Sequence, residues 1–452
     1  MSLRLWEPCR NRRGGRLARA LLLGAVFTAL PSAAFADGGH GIGAEVWLLF
    51  AAILLAAKLG AELAVRLGQP AVLGELVAGI VLGNADLLPF VGTNALSSAA
   101  ALPSVEFLAE LGVVLLLFEV GLESTLLEMK RVAPQSGLVA VIGVVAPMAL
   151  GYATSAFLMP EADTTQHLFV CAALCATSVG ITARVLQELG AMDRQETKVV
   201  LGAAVIDDVL GLLVLAVVSA IAVHGSPNVF EIAKLSALAV GFLIGALLLG
   251  TYVMPGVFRT SSKLQSPGVL AALSVAFCFL LAGASAASGL AAIVGAFAAG
   301  LVLDEVHVIP FGKTSKHDLS ELVRPIVTLV APIFFVRTGM LVDLAAIPAN
   351  ALVLAAALSV VAIAGKLVAG LGMPKSKGDR LLVGIGMIPR GEVGLIFANV
   401  GASILVGPEK KPIVDAATFG AIVLMVMVTT VVSPPWIGAR LRTLAARSPA
   451  AS

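Results

Sequence analysis

Apolar residues run along this chain in blocks long enough to cross a hydrocarbon layer of about 30 Å as helix, with the charges gathered in short stretches between them. Beyond residue 43 the pattern predicts about thirteen membrane spans, at 44–66, 71–88, 105–123, 135–158, 167–189, 197–223, 229–255, 268–288, 290–303, 322–342, 350–372, 379–403 and 414–439. Composition agrees. With 59% hydrophobic and 13% charged residues in 452, the chain has too little polar surface for a soluble globule. The expected fold class is an all-α polytopic membrane protein in contact with the lipid bilayer. The net charge of +2 carries no message about nucleic acid, because Lys and Arg sit in short loops rather than on one basic face.

The first residues read as a targeting segment. Arg10, Arg12, Arg13, Arg16 and Arg19 precede the apolar run "ALLLGAVFTAL", and the small-residue pattern Ala34-Phe35-Ala36 before Asp37 predicts a signal peptide over 1–36. An uncleaved first helix is the alternative. An odd number of spans puts the two ends on opposite sides, and loop charge sets the direction. Loops after odd-numbered spans carry Arg66, Lys130, Arg131, Arg194, Lys198, Arg259, Lys263, Lys313, Lys316, Arg324, Lys375, Lys377 and Arg380, and the tail 440–452 adds Arg440, Arg442 and Arg447; the other side holds Lys234, Lys410 and Lys411. The positive-inside rule therefore predicts a cell (inner) membrane protein with its N-terminus outside and its C-terminus in the cytoplasm.

Two segments recur. "AGIVLG" (78–83) in span two returns as "AGLVLD" (299–304) in span nine, and spans five, "CATSVGITARV", and twelve, "GMIPRGEVGLI", both carry polar residues and glycines in mid-membrane. An offset of seven spans inverts the second copy, which predicts two six-helix units of opposite topology, spans 1–6 and 8–13, joined by span seven. Spans five and twelve are expected to break, around Thr177, Ser178 and Gly180 and around Gly386, Pro389, Gly391 and Gly394. Hydrocarbon forbids such breaks unless they line a polar cavity, where freed carbonyls and hydroxyls can meet a cation. Arg390 and Glu392 are read as structural charges there, with Glu392 placed to neutralise a positive helix end. Simple kinks with buried polar residues are the alternative.

The acids in "AAVIDDVLGLLVLAVVSAIAV" (203–223) raise the functional question. Asp207 and Asp208 lie roughly 15 Å into span six, near the midplane, and point about 100° apart. Two acids there need a positive partner. Lys366 in span eleven is the candidate; its ammonium can lean toward the acids and, being buried, can also shed a proton. The alternative is a lysine that snorkels to the interface.

These residues carry a resemblance. "ATSVGITARVLQELG" (176–190), "LGAAVIDDVLGLLVLA" (201–216), "IVGAFAAGLVL" (293–303), "APIFFVRTGM" (331–340), Gly365-Lys366 and "GMIPRGEVGLIFA" (386–398) resemble the bacterial NapA-type sodium/proton antiporters of the cation:proton antiporter superfamily. The match covers nearly the whole chain after the signal segment, in order and spacing. It implies an Na+ (or Li+)/H+ exchanger, not an enzyme, working as a homodimer. Residues 44–123 and 268–342 would form the dimerisation domain, 229–255 a linker helix, and 135–223 and 350–439 a mobile ion-translocating core. Asp208 would bind the cation, Asp207 would pair with Lys366, and Thr177 or Ser178 would add oxygens. Two acids in this motif imply electrogenic exchange. No cofactor is expected beyond the transported Na+ and H+.

The chain departs from the family at Glu119 in "LLLFEVGLES" and Arg337 in "FFVRTGM", where apolar residues are general. Spans three and ten are symmetry mates, and a vertical gap of roughly 10 Å separates the two charges on the predicted spans. The expectation is an ion pair between Glu119 and Arg337; the alternative has each face the aqueous cavity or another partner, with Arg184 open to Glu119. Cys171, Cys175 and Cys278 read as core thiols rather than zinc ligands, and His307 and His317 as solvated loop residues or pH sensors. An intramembrane aspartyl protease needs its acids on separate facing helices, and a channel needs a continuous pore. Potassium in place of sodium stays open.

Overall fold

The computed structural model describes residues 44–85, 102–224, 226, 229–261, 263, 266, 268–303, 316–342, 344, 348, 351–406 and 411–447. The predicted signal segment and the loop with His307 lie outside the described residues, as does the side chain of His317. The first half comprises α1 (Ala44–Arg66), α2 (Ala71–Gly83), α3 (Pro103–Leu122), α4 (Leu126–Leu158), α5 (Thr164–Ala173), α6 (Val179–Glu188) and α7 (Gln195–His224). Then come α8 (Val229–Leu248), α9 (Met254–Ser261), α10 (Val269–Ala287), α11 (Ala292–Val302), α12 (Lys316–Met340), α13 (Ala351–Ala369), α14 (Arg380–Gly386), α15 (Glu392–Ser403) and α16 (Ala416–Arg447). Among the described residues eight helices are long and apolar enough to cross a membrane; α2, α11 and α15 are shorter apolar helices. The protein is an all-α polytopic membrane protein. Its small exception is a pair of two-residue antiparallel strands, β1 (Leu405–Val406) and β2 (Lys411–Pro412), after α15.

Three element ends differ from the apolar pattern for local reasons. Helix α4 starts at Leu126 rather than 135, because Thr125 caps it, accepting the Glu128 N–H at 3.3 Å in the S/T-x-x-E arrangement. Helix α8 does not stop at 255 but passes through a π-turn, Leu249–Val253, into α9. Helix α2 ends at Gly83, where the Asn84 amide donates to Val342 O at 2.6 Å and its Oδ1 accepts the Leu344 N–H at 2.7 Å.

The helix contacts repeat with the seven-span offset. Helix α2 packs on α12 and α11 on α3; α1 on α2 and α10 on α11; α4 on α7 and α13 on α16; and α3 on α12, α4 on α13 and α5 on α15 are contacts between mates. Two crossings show the reason. Gly79 meets Gly339 where α2 crosses α12, and Gly300 meets Gly121 where α11 crosses α3; each backbone sits where the other's Cβ would have to go. The recurring "AGIVLG" and "AGLVLD" segments are thus the two copies of one close helix crossing. At the α3–α12 contact, Gly112 lies against the Val330 backbone.

That contact corrects the expected Glu119–Arg337 pair. Arg337 Nη2 lies 2.8 Å from Glu106 Oε1, and Arg324 Nε lies 3.4 Å from Glu119 Oε1. The reason is register: α3 and α12 are antiparallel about Gly112, which places Glu119 and Arg337 at opposite ends. Thirteen residues separate Arg324 from Arg337 on α12, about 20 Å of helix, beyond the reach of any side-chain pair.

Candidate ion-binding site

Span five is two helices, α5 and α6, and span twelve is two more, α14 and α15, with residues 174–178 and 387–391 left non-helical between them. The breaks cross, and each supplies what the other lacks. The Ser178 N–H donates to Pro389 O at 2.8 Å, Thr177 Oγ1 to Met387 O at 3.4 Å and Thr182 Oγ1 to Gly386 O at 2.7 Å. Pro389 cannot continue a helix, and Gly391 faces the Ser178 side chain with no room for a Cβ. Helical carbonyls freed by one break are therefore capped from the other, which is how non-helical backbone survives at membrane depth.

Arg390 holds this crossing together. It is completely buried; its Nη1 donates to Ala176 O at 2.9 Å and its Nη2 to Ala362 O of α13 at 3.5 Å, while its own carbonyl accepts from Thr430 Oγ1 of α16. The guanidinium thus replaces a missing helical N–H at the end of α5 with a full positive charge. The side chain of Glu392 lies outside the described residues.

The two acids come from α7 beside this crossing. Asp207 is 0% exposed and Asp208 7%. Lys366 of α13, also at 0%, sets its Nζ 3.2 Å from Asp207 Oδ1 and 3.4 Å from Oδ2. Room for the lysine comes from α4, where Gly143 leaves the space beside Nζ open and Pro147 packs against Gly365. Asp207 also lies in the field of Arg390, and Cys175 in the fields of Asp207, Lys366 and Arg390. Two buried acids and two buried bases therefore meet around the broken helices.

Thr177 is buried and directed at Met387 O, and Ser178 is half-buried with its backbone committed to Pro389. Residues that sequence reasoning did not place at the site also belong here: Thr182 and Thr430, which tie the breaks, and Cys175, a buried core thiol as expected, which faces the charges. Thr182 lies one helical turn beyond Ser178, a spacing that could have flagged it.

The two ends of the molecule differ around this centre. Near the Glu106–Arg337 pair a cavity of about 590 Å³ separates α3, α11 and α12 from α15 and α16, lined by Glu106, Glu110, Arg337, Asn399 and apolar residues. At the other end α6 is seated against α2 and α3, with Gly180 on Val113 and Gln187 Nε2 donating to Glu123 Oε1 at 3.2 Å.

The comparisons with known proteins point one way. The family described as the transmembrane sodium/hydrogen exchanger matches residues 48–443. The chain is 39% identical over 430 residues to the high-affinity Na+/H+ antiporter NhaS3 of a Synechocystis species, covering 88% of this chain and 90% of that one. It is 33% identical over 398 residues to the Na+/H+-K+ antiporter GerN of Bacillus cereus, covering 87% and 95%. Among solved structures, the sodium proton antiporter MjNhaP1 of Methanocaldococcus jannaschii at pH 8 superposes with a TM-score of 0.63 at 17% identity, over 89% of this chain and 99% of that one. The crossing of two broken helices beside a buried Asp-Asp-Lys cluster is thus set in a chain that belongs to the sodium/hydrogen exchanger family.

Proposed function

We propose that the protein exchanges Na+ or Li+ for H+ across the inner membrane, as a homodimer, by electrogenic, elevator-like alternating access. The observation that carries the reading is the placement of Asp208, barely exposed, next to an Asp207–Lys366 pair that solvent does not touch. Asp208, beside the crossing and slightly open to solvent, is the carboxylate assigned to the cation or the proton. With no cation, the proton takes it. The Asp207–Lys366 pair supplies a second proton: if Lys366 gives up its proton when the cation arrives and regains it on return, two protons cross for one Na+, and one net charge moves per cycle.

In this reading the helices of 44–123 and 268–342 form the stationary dimerisation domain, those of 135–223 and 350–439 move as the core, and 229–255 links them. The C-terminus faces the cytoplasm. The cavity beside Glu106 and Arg337 is the outward path, and the seated α6 closes the inward one. A second reading, K+/H+ exchange, is supported by the similarity to GerN, whose name includes K+, and by the same hard-oxygen chemistry suiting both ions. The test uses proteoliposomes with a trapped pH dye. Dequenching on adding Na+ or Li+ but not K+ supports the first reading, K+ alone supports the second, and no response to any of the three removes both.

A further inference from the structure

Outside the ion site, unsatisfied buried polar atoms gather where α6 meets α2 and α3. Glu75 of α2 is 1% exposed, and its Oε2 has no hydrogen-bond partner among the described residues. Gln187 Oε1 shares that condition, while Glu119 Oε1 has only the ion-pair contact with Arg324 at 3.4 Å. Arg184 lies in the fields of both Glu75 and Glu119, yet its ion-pair partner is Glu188, 2.8 Å away on its own helix. Glu188 in turn accepts the N–H of Ala71, the first residue of α2, at 2.8 Å. The seated α6 is therefore tied to the start of α2 through Glu188, while Glu75, one turn further along α2, is covered and has no ion-pair partner among the described residues.

The charged groups around Glu75 are few. From α6 come Arg184 and Glu188; from α1 comes Lys58, whose ammonium donates to Thr328 O at 3.2 Å on an exposed face. Beyond Arg184 stand Glu119 of α3, Glu123 just past its end and Arg324 of α12, and from α16 Arg442 donates to Gly68 O at 3.2 Å. Glu119 differs from Glu75 in having an ion-pair partner, Arg324. A covered carboxylate with no such partner is costly as an anion and much less so with a proton.

We propose that Glu75 is a positioning residue of the exchange cycle: it takes up a proton from the cytoplasmic side as α6 seats against α2 and α3, and returns it when α6 withdraws and water reaches the carboxylate. The inference rests on the alternating-access reading, in which α6 moves and α2 and α3 do not. The seated state then carries one more proton than the withdrawn state, so alkaline pH favours withdrawal. Glu119, which faces Arg324, is assigned no part in this proton uptake.

The test is hydrogen exchange of residues 179–188 in lipid nanodiscs from pH 6 to pH 9, corrected for intrinsic exchange. In the wild type, protection falls with rising pH by up to about tenfold per unit, the limit for one linked proton. Glu75→Gln, which mimics the protonated form, removes that slope; Glu75→Asp keeps it, and Glu119→Gln leaves it unchanged. A flat wild-type profile overturns the proposal without any variant. An undiminished slope in Glu75→Gln, or its loss in Glu119→Gln instead, also overturns it. Absence of cation exchange by the same protein in liposomes would strike the transport reading and leave this result standing.

Discussion

Lys366 touches both oxygens of Asp207, at 3.2 and 3.4 Å, and neither residue has any contact with solvent. Truncating one partner leaves a buried charge behind, which costs about 3 to 5 kcal/mol when uncompensated. Lys366→Met and Asp207→Asn are each expected to lower the melting temperature in detergent, and the double replacement to recover much of the loss. Single losses that simply add in the double variant would show that the contact contributes nothing.

Asp208 is the acid that keeps some access, and one carboxylate cannot hold a proton and a cation together. Apparent Na+ affinity is therefore expected to improve as pH rises through the range in which Asp208 loses its proton. On the proposed reading, Asp208→Asn removes the competition and the site with it: exchange should vanish while the protein stays folded and monodisperse. Exchange at even a tenth of the wild-type rate in that variant, by dye dequenching, would require another carboxylate.

Electrogenic exchange has an electrical signature. At about 2.3 kcal/mol per charge per 100 mV, a potential alone can drive Na+ against its gradient. In liposomes without a pH gradient, an imposed potential should set the direction of Na+ movement in the wild type. The double variant Asp207→Asn, Lys366→Gln should lose that response if it still transports. An initial rate and final gradient untouched by the potential would mean electroneutral exchange.

The helices and both breaks were legible because their causes are local: apolar runs of spanning length, Pro389 and Gly391 in one break, Thr177 and Ser178 in the other. The partners of Glu119 and Arg337 were not. Arg324 reads from sequence as a loop cation, yet α12 begins at Lys316 and carries it as helix. Glu106 lies just inside the start of α3, where an acid is ordinary. Which residue of α3 faces which of α12 depends on where the repeats cross, and that crossing rests on backbone contact at Gly112. Neither helix encodes it alone. Arg390 was legible as a buried charge, but its carbonyl partners, Ala176 and Ala362, are backbone atoms that any residue would present.

Asp379 gives the core a pH limit at its predicted cytoplasmic edge. It caps α14, accepting the Leu382 N–H at 2.7 Å, and Arg440 holds it at 3.0 and 2.5 Å. Burial works to raise its pKa, but hydrogen bonds from Arg440 and the Leu382 N–H outweigh it, so the carboxyl sits below the usual value. A carboxylate with a depressed folded pKa stabilises the fold above its unfolded value, near 4, and loses that contribution as pH falls through the folded one. Asp379→Asn keeps a capping oxygen but loses the charge facing Arg440, and should therefore cost up to about 1 kcal/mol at neutral pH. The difference from wild type should shrink below about pH 4. A gap in melting temperature that stays constant down to pH 3 would assign the loss to packing.

The two ion pairs along α3 and α12 are one contact seen twice. Arg324 and Arg337 stand thirteen residues apart on one helix, Glu106 and Glu119 thirteen apart on the other, and the antiparallel register about Gly112 brings 106 to 337 and 119 to 324. Their surroundings differ. Glu119 is 2% exposed and faces Arg324 at 60%, whereas Arg337 is 13% exposed and faces Glu106 at 52%. Removing Arg324 leaves the Glu119 charge buried, whereas Arg337 is half-buried and lines the cavity beside Glu106. Arg324→Gln is expected to destabilise by about 1 to 3 kcal/mol, the penalty for a buried charged group left unsatisfied, and Glu106→Gln by less than about 1 kcal/mol, as for an exposed pair. Replacing the buried partner as well should relieve most of that loss. Glu119→Gln combined with Arg337→Gln should show no coupling, because about 20 Å of helix lies between them. Coupling above about 0.5 kcal/mol between Glu119 and Arg337, with none inside the two pairs, would overturn the register itself.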